Sequence, residues 1–145
     1  MEKYAVNKKA GFDYEILEKF EAGLVLTGAE VKSLRSNNVK LSGGFVVFHG
    51  EIPELINVHI PRYKFSNLPT DPGRSRQILL KKSEINYLRG KLEEKGLTIV
   101  PLSVYNKGRR IKLEIGLVRG KKHFDKRASI KKRETDREIR RVFKN

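Results

Sequence analysis

The stretch LTIVPLSVYNKGRRIKLEIGLVR, residues 97–119, decides the fold. Two β-rich runs, 97–107 and 110–119, flank Lys107-Gly108-Arg109. In the second run Ile111, Leu113, Ile115 and Leu117 alternate with Lys112, Glu114 and Gly116. A period of two puts one set on each face of a strand. A gap this short, with a glycine in it, closes an antiparallel hairpin. Upstream, FVVFHG (45–50) and ELINVHI (54–60) predict a second hairpin around His49-Gly50-Glu51. YEILEKFEAGLVL (14–26) predicts a long strand, bent or bulged at Gly23, or two strands joined there. Arg74 and Arg76 open a further extended run toward Lys81 and Lys82.

Helix signals are fewer. Thr27 followed by Glu30 is a capping-box pattern, and Val31 and Leu34 share one helical face, so a short helix is expected over 28–36. Ile85, Leu88 and Leu92 form the stripe of a second helix, with Ser83 as N-cap and Gly96 as the stop. Between strands and helix, PRYKFSNLPTDPGRS (61–75) carries three prolines and no periodicity, which predicts a long loop. About six strands with two or three short helices in residues 1–118 give a mainly β fold. The expected architecture is a small antiparallel barrel of the OB type, an architecture that presents loops and strand faces to oligonucleotides. An SH3-like barrel or an α+β sandwich fits the same strings.

Charge divides the chain into a body, 1–118, and a tail, 119–145. The tail holds 12 Lys and Arg against 4 Asp and Glu, a net +8 of the chain's +15. The body is itself +7, from 20 basic and 13 acidic residues. Burial of so few apolar groups cannot offset the tail's conformational entropy, so a disordered or frayed segment is expected until a polyanion orders it. Nucleic acid is the favoured partner, ahead of a purely solubilising tail. No apolar run approaches the ~20 residues that span a bilayer, and the N-terminus lacks a signal-peptide stretch, so a cytoplasmic protein is expected. The chain has no cysteine, hence no disulfide and no thiolate chemistry. His49, His59 and His123 lack metal-ligand spacing, and no Asp/Glu/His cluster suits metal-assisted hydrolysis. No catalytic residue, metal or cofactor is expected.

The binding candidates are basic or aromatic. Arg74 and Arg76, two apart in an extended segment, point the same way and can fork onto neighbouring phosphates, with Lys81 and Lys82 extending the patch. Asn7, Lys8 and Lys9 form a smaller basic arm. Glu21 and Glu30 stand out on a basic body; an ion pair with a nearby Lys or Arg is the favoured role for each. In the tail, Phe124 lies among Lys121, Lys122, Lys126 and Arg127, suited to stacking on a base while the cations hold phosphates.

Taken in order, NKKAGFDYEILEKFEAGLVLTGAEVKSLR, NVHIPRY, DPGRSRQILL and GKKHFDKR with its basic tail closely resemble the small protein B family, the SsrA-binding partners of tmRNA. The likeness runs from about residue 4 to the C-terminus. It implies an OB-fold barrel without catalysis that binds the tRNA-like domain of tmRNA. With elongation factor Tu, such proteins deliver alanyl-tmRNA to stalled ribosomes in trans-translation. It also implies that the tail becomes helical in the vacant decoding site of the small subunit. The tmRNA-facing positions implied are Glu21, Arg74, Arg76, Leu79 and Lys81, with Asn7, Lys8 and Lys9 behind them. The ribosome-facing positions implied are Gly120, Lys121, Lys122, Phe124, Asp125, Lys126 and Arg127. Lys131, Lys132, Arg133, Ile139 and Val142 follow. Ser66-Asn67-Leu68-Pro69-Thr70 departs from the family's usual loop, which has a His before Asp-Pro. Nothing demands an oligomer. The rival reading is a basic OB-like protein bound permanently to rRNA.

Overall fold

The computed structural model describes residues 3–36, 38–65 and 71–120. Seven antiparallel strands form one sheet in the order β1-β6-β7-β2-β5-β4-β3. They are β1 (Lys3–Val6), β2 (Tyr14–Leu24), β3 (Phe45–His49), β4 (Ile52–Ile56), β5 (Arg76–Leu79), β6 (Leu97–Lys107) and β7 (Arg110–Gly120). Among the described residues three helices accompany them: α1 (Ala10–Asp13), α2 (Gly28–Ser36) and α3 (Lys82–Leu92). Although β3 lies at the far edge, it packs against β6, so the sheet curls back on itself. The expected mainly β architecture is what the chain adopts.

The 97–119 hairpin forms the spine. Lys107 pairs with Arg110 across a two-residue turn whose Gly108 has φ +63°. His49 pairs with Ile52 around Gly50, φ +65°, in the same way. A glycine at the first turn position accepts this left-handed conformation without steric cost and matches the twist of the strands. On β7, Leu113, Ile115 and Leu117 point inward to meet Leu34 of α2, Val46, Leu55, Ile78 and Leu88 in the principal core. A smaller cluster on the other side of the sheet packs Ala10 of α1 against Val100, Leu102 and Val118. Gly116 lies beneath it; a Cβ there would sit 2.9 Å from Leu102 Cδ1, so the tip of that leucine would have to shift to admit one.

Five expectations change. The irregularity in β2 lies between Ile16 and Glu18, not at Gly23, which pairs in register with Lys112 on one side and Leu79 on the other. β4 ends at Ile56 instead of continuing to Ile60, because Asn57 takes a left-handed φ of +60°. α3 begins at Lys82, so Ser83 is inside it; the Lys81 backbone N–H donates to Glu84 Oε1 at 3.0 Å. The basic arm at residues 7–9 is instead a turn between β1 and α1, pinned by Asn7 Nδ2 donating to Pro101 O at 2.9 Å. β7 carries the body to Gly120, two residues beyond the expected boundary. No helix among the described residues is long and apolar enough to cross a membrane.

Candidate nucleic-acid interface

The capping-box expectation for α2 leads into an ion cluster. Thr27 Oγ1 accepts from the Glu30 N–H at 3.1 Å, and the Thr27 N–H donates to Glu30 Oε1 at 3.0 Å. The same carboxylate, buried, also receives both arginines. Arg74 donates from Nε to Oε2 at 3.0 Å and from Nη2 to Oε1. Arg76 donates from Nε and Nη2 to Oε2 at 3.0 and 2.8 Å, from Nη1 to Val58 O at 2.7 Å, and from Nη2 to Pro72 O at 2.9 Å. These bonds, with Ile60 N–H to Pro72 O at 3.0 Å, tie the two ends of the long loop to α2 and β5.

Arg74 and Arg76 therefore do share a side, but it faces inward. Arg76 is 1% exposed and presents no free guanidinium edge to a phosphate. The expectation of two forks on the surface is corrected on this point, while the ion pair favoured for Glu30 is present. A clue stood in the sequence: β5 residues Arg76 and Ile78 have the same parity, and a core isoleucine drags its i−2 neighbour to the core side. Arg74, preceding the strand, keeps a third of its side chain exposed.

Burial pushes the Glu30 carboxyl upward, but hydrogen bonds from Arg74, the Thr27 N–H and Arg76 outweigh it and hold it below its usual range. A carboxyl depressed on folding contributes stability in full above its unfolded pKa, about 4.3, and loses it as pH falls through the lower folded value. The urea midpoint is accordingly expected to be flat from neutrality to about pH 5 and to fall below about pH 4. Glu30→Gln should lower it at neutral pH and flatten the acid limb. An acid limb unchanged in that variant would assign the effect elsewhere.

The opposite parity builds a surface. Tyr105, Lys112, Gly23 and Leu79 lie in one row across β6, β7, β2 and β5. Glu21, two residues before Gly23, shares its face, while Ala22 between them is fully buried. Leu79 is 55% exposed, and Gly23 leaves room beside it: a Cβ there would meet Leu79 Cβ at 3.3 Å. The result is a shallow cleft with an apolar floor at Gly23 and Leu79. Arg35, Arg109, Arg110 and Lys112 rim it. None of these four cations makes a salt bridge among the described residues. Lys81, exposed at the start of α3, stands two residues beyond Leu79. Glu21 is engaged within this face: Oε2 accepts from the Tyr105 hydroxyl and Oε1 from Lys107 Nζ at 3.1 Å. Those two hydrogen bonds hold its carboxyl below the usual range, while burial, then the bond to Glu21, raises the Tyr105 hydroxyl.

Of the expected positions, the fold thus brings Glu21, Leu79 and Lys81 to one region and sends Arg76 inside. Lys8 and Lys9 are exposed at the β1–α1 turn, and Gly120 ends β7 opposite Tyr14. Lys121, Lys122, Phe124, Asp125, Lys126, Arg127, Lys131, Lys132, Arg133, Ile139 and Val142 lie outside the described residues. Sequence reading missed Arg35, Arg109, Arg110 and Lys112. The outward parity of Lys112 was legible, but its strand neighbours were not. Among the described residues no group of three His, Cys, Asp or Glu could hold a metal ion.

The sequence profile of the family described as SmpB protein matches residues 4–145. The chain belongs to the SmpB family. Its relatives include the SsrA-binding protein of Streptococcus mutans serotype c, 52% identical over 142 residues that cover 97% of this chain and 91% of that protein. Another is the SsrA-binding protein of Gloeobacter violaceus, 49% identical over 140 residues, or 95% and 91% of the two chains. Among solved structures, a chain from "tmRNA-SmpB: a journey to the center of the bacterial ribosome" is similar with a TM-score of 0.69 and 46% identity. The similarity covers 94% of this chain and 93% of that one. The family resemblance read from the sequence holds along nearly the whole chain, body and tail together.

Proposed function

We propose that this chain is a tmRNA-binding protein of trans-translation that accompanies tmRNA to stalled ribosomes. The observation that carries the reading is the outer sheet face. Four cations without salt-bridge partners among the described residues border an apolar floor at Gly23 and Leu79, within a chain matched to the SmpB family over residues 4–145. Phosphates need such free cations, and the flat ledge at Gly23 admits a sugar or base edge close to the backbone. The tRNA-like domain of tmRNA is assigned to this face, with Leu79, Lys81 and Lys112 in contact. Glu21 acts by holding Tyr105 and Lys107 in place. Arg76 and Glu30 are positioning residues: they fix β5 against α2 and so set where Leu79 and Lys81 stand.

The division of labour follows the charge. Residues up to 118–120 form the tmRNA-binding body, and the tail beyond serves the small-subunit decoding site, with Phe124 stacking on rRNA. Elongation factor Tu joins through the alanyl-tmRNA. The protein is a binder without catalysis, metal or cofactor, working in the cytoplasm as a monomer. Phe124→Ala is expected to leave tmRNA affinity within about twofold and to reduce tagging on stalled ribosomes about tenfold or more, the loss of one stacked base. Gel-shift and in vitro tagging assays on the same preparation check this. Loss of tmRNA binding in that variant would merge the two roles.

A further inference from the structure

The mouth of the long loop carries aromatic rings that the core does not use. Tyr63 and Phe65 meet edge to face, with centroids 5.4 Å apart and planes at 69°. Phe65 is 70% exposed, the most exposed of the large apolar residues described. Lysines border both rings: Lys64 Nζ lies 4.9 Å from the Phe65 centroid, and Lys32 Nζ of α2 lies 5.7 Å from that of Tyr63. Arg62 is exposed beside them. The shelf has a firm base. Ser33 Oγ of α2 donates to Pro61 O, and the Arg76 guanidinium grips Val58 O and Pro72 O immediately below. Tyr63 is half-buried and Phe65 leans on its ring, so the pair is held in one place while Phe65 leaves most of its surface in water.

Burial cannot account for Phe65, since it adds little to the core. A ring left open and bordered by ammonium groups combines two recognition elements: a π face for stacking and cations for phosphate. Lysine over a ring is held loosely at an exposed site and can turn to a phosphate when a base approaches. We infer that Tyr63 and Phe65, with Lys32, Lys64 and Arg62, form a second RNA contact that stacks one unpaired nucleobase on the Phe65 ring. An acidic peptide is disfavoured, because the Phe65 face would be idle in a purely ionic contact. The shelf is built from α2 and the loop after Ile60, whereas the outer sheet face is built from β2, β5, β6 and β7. The inference rests on the RNA-binding reading but does not need selectivity for tmRNA.

Because the chain has no tryptophan, Phe65→Trp places a single indole reporter on the shelf. The full chain carrying it is titrated with three probes: a short single-stranded oligoadenylate, an abasic oligonucleotide of equal length, and a fully paired duplex of matched charge. The expected result is strong quenching of indole emission by oligoadenylate alone. Phe12→Trp, at a 54%-exposed site on α1, is expected to show none with any probe. Phe65→Ala should weaken oligoadenylate binding about 5- to 100-fold, the range stacking on an aromatic side chain supports, and Phe65→Leu should weaken it similarly. Equal quenching by all three probes, no quenching, quenching by an acidic peptide, or unchanged affinity in Phe65→Leu would each overturn the inference. Quenching that survives alongside equal affinity for tmRNA and random RNA would instead defeat the tmRNA reading and leave the shelf in place.

Discussion

Arg76→Ala is expected to destabilise the folded protein by about 3–5 kcal/mol, the range for removing one partner of a buried ion pair. Three nitrogens of this guanidinium are used, on Glu30, Val58 O and Pro72 O. Removing them leaves the Glu30 carboxylate, which is 4% exposed, with Arg74 as its remaining cationic partner and strips the side-chain donor from two carbonyls beside a vacated buried site. Against a typical total stability of about 5–15 kcal/mol the loss is large. Arg74→Ala should cost about 1–2 kcal/mol, because Arg76 remains to neutralise Glu30 and water reaches the vacated side. Arg76→Lys should resemble Arg76→Ala more than wild type, since one ammonium cannot reproduce a fork that spans three acceptors. Urea unfolding at neutral pH measures all three. Equal small losses for Arg74→Ala and Arg76→Ala would show that burial does not distinguish them. In the folded fraction of Arg76→Lys, the salt dependence of RNA binding should be unchanged, because this group is not offered to phosphate.

The second large effect falls on the outer sheet face. Lys81→Glu with Lys112→Glu is expected to weaken tmRNA binding about 10- to 100-fold, roughly 1.4–2.8 kcal/mol. Each lysine lost from a phosphate should also lower the slope of log affinity against log salt by about one. Lys81 is exposed and Lys112 half-buried near Glu21, so thermal stability should fall far less than in Arg76→Ala. Lys40→Glu with Lys95→Glu makes the same change in net charge at exposed positions that do not line the cleft; Lys95 lies beyond the other end of α3 from Lys81. If that control weakened binding equally, the protein would be responding to total charge and the cleft would have no special standing.

The hairpins, α2 and the mainly β class were legible because each rests on local signals: alternation, a glycine turn, a capping box. Lys3–Val6 and Ala10–Asp13 escaped notice for a physical reason. Four residues are too few to show a period, and both elements are stabilised by partners nearly a hundred positions away, as Asn7 on Pro101 illustrates. The end of β4 was set by one left-handed asparagine, which composition does not reveal. The site divides in the same way. Leu79 and Lys112 follow from strand parity, but their adjacency needs the β5-β2-β7 order, and that order is a long-range property. Arg76 was the misleading residue. A charged side chain goes inward only when a partner waits there, and Glu30 is 46 positions earlier.

The most direct test of the account is competition binding of the intact chain to cognate tmRNA, an equal-length tRNA and random RNA at near-physiological salt. The same measurement is then made after removal of residues 121–145. Strong preference for tmRNA that survives the removal would place selectivity in the folded body and its outer sheet face. Equal binding to all three RNAs, lost together with the basic tail, would contradict the account and leave a polybasic binder without specificity.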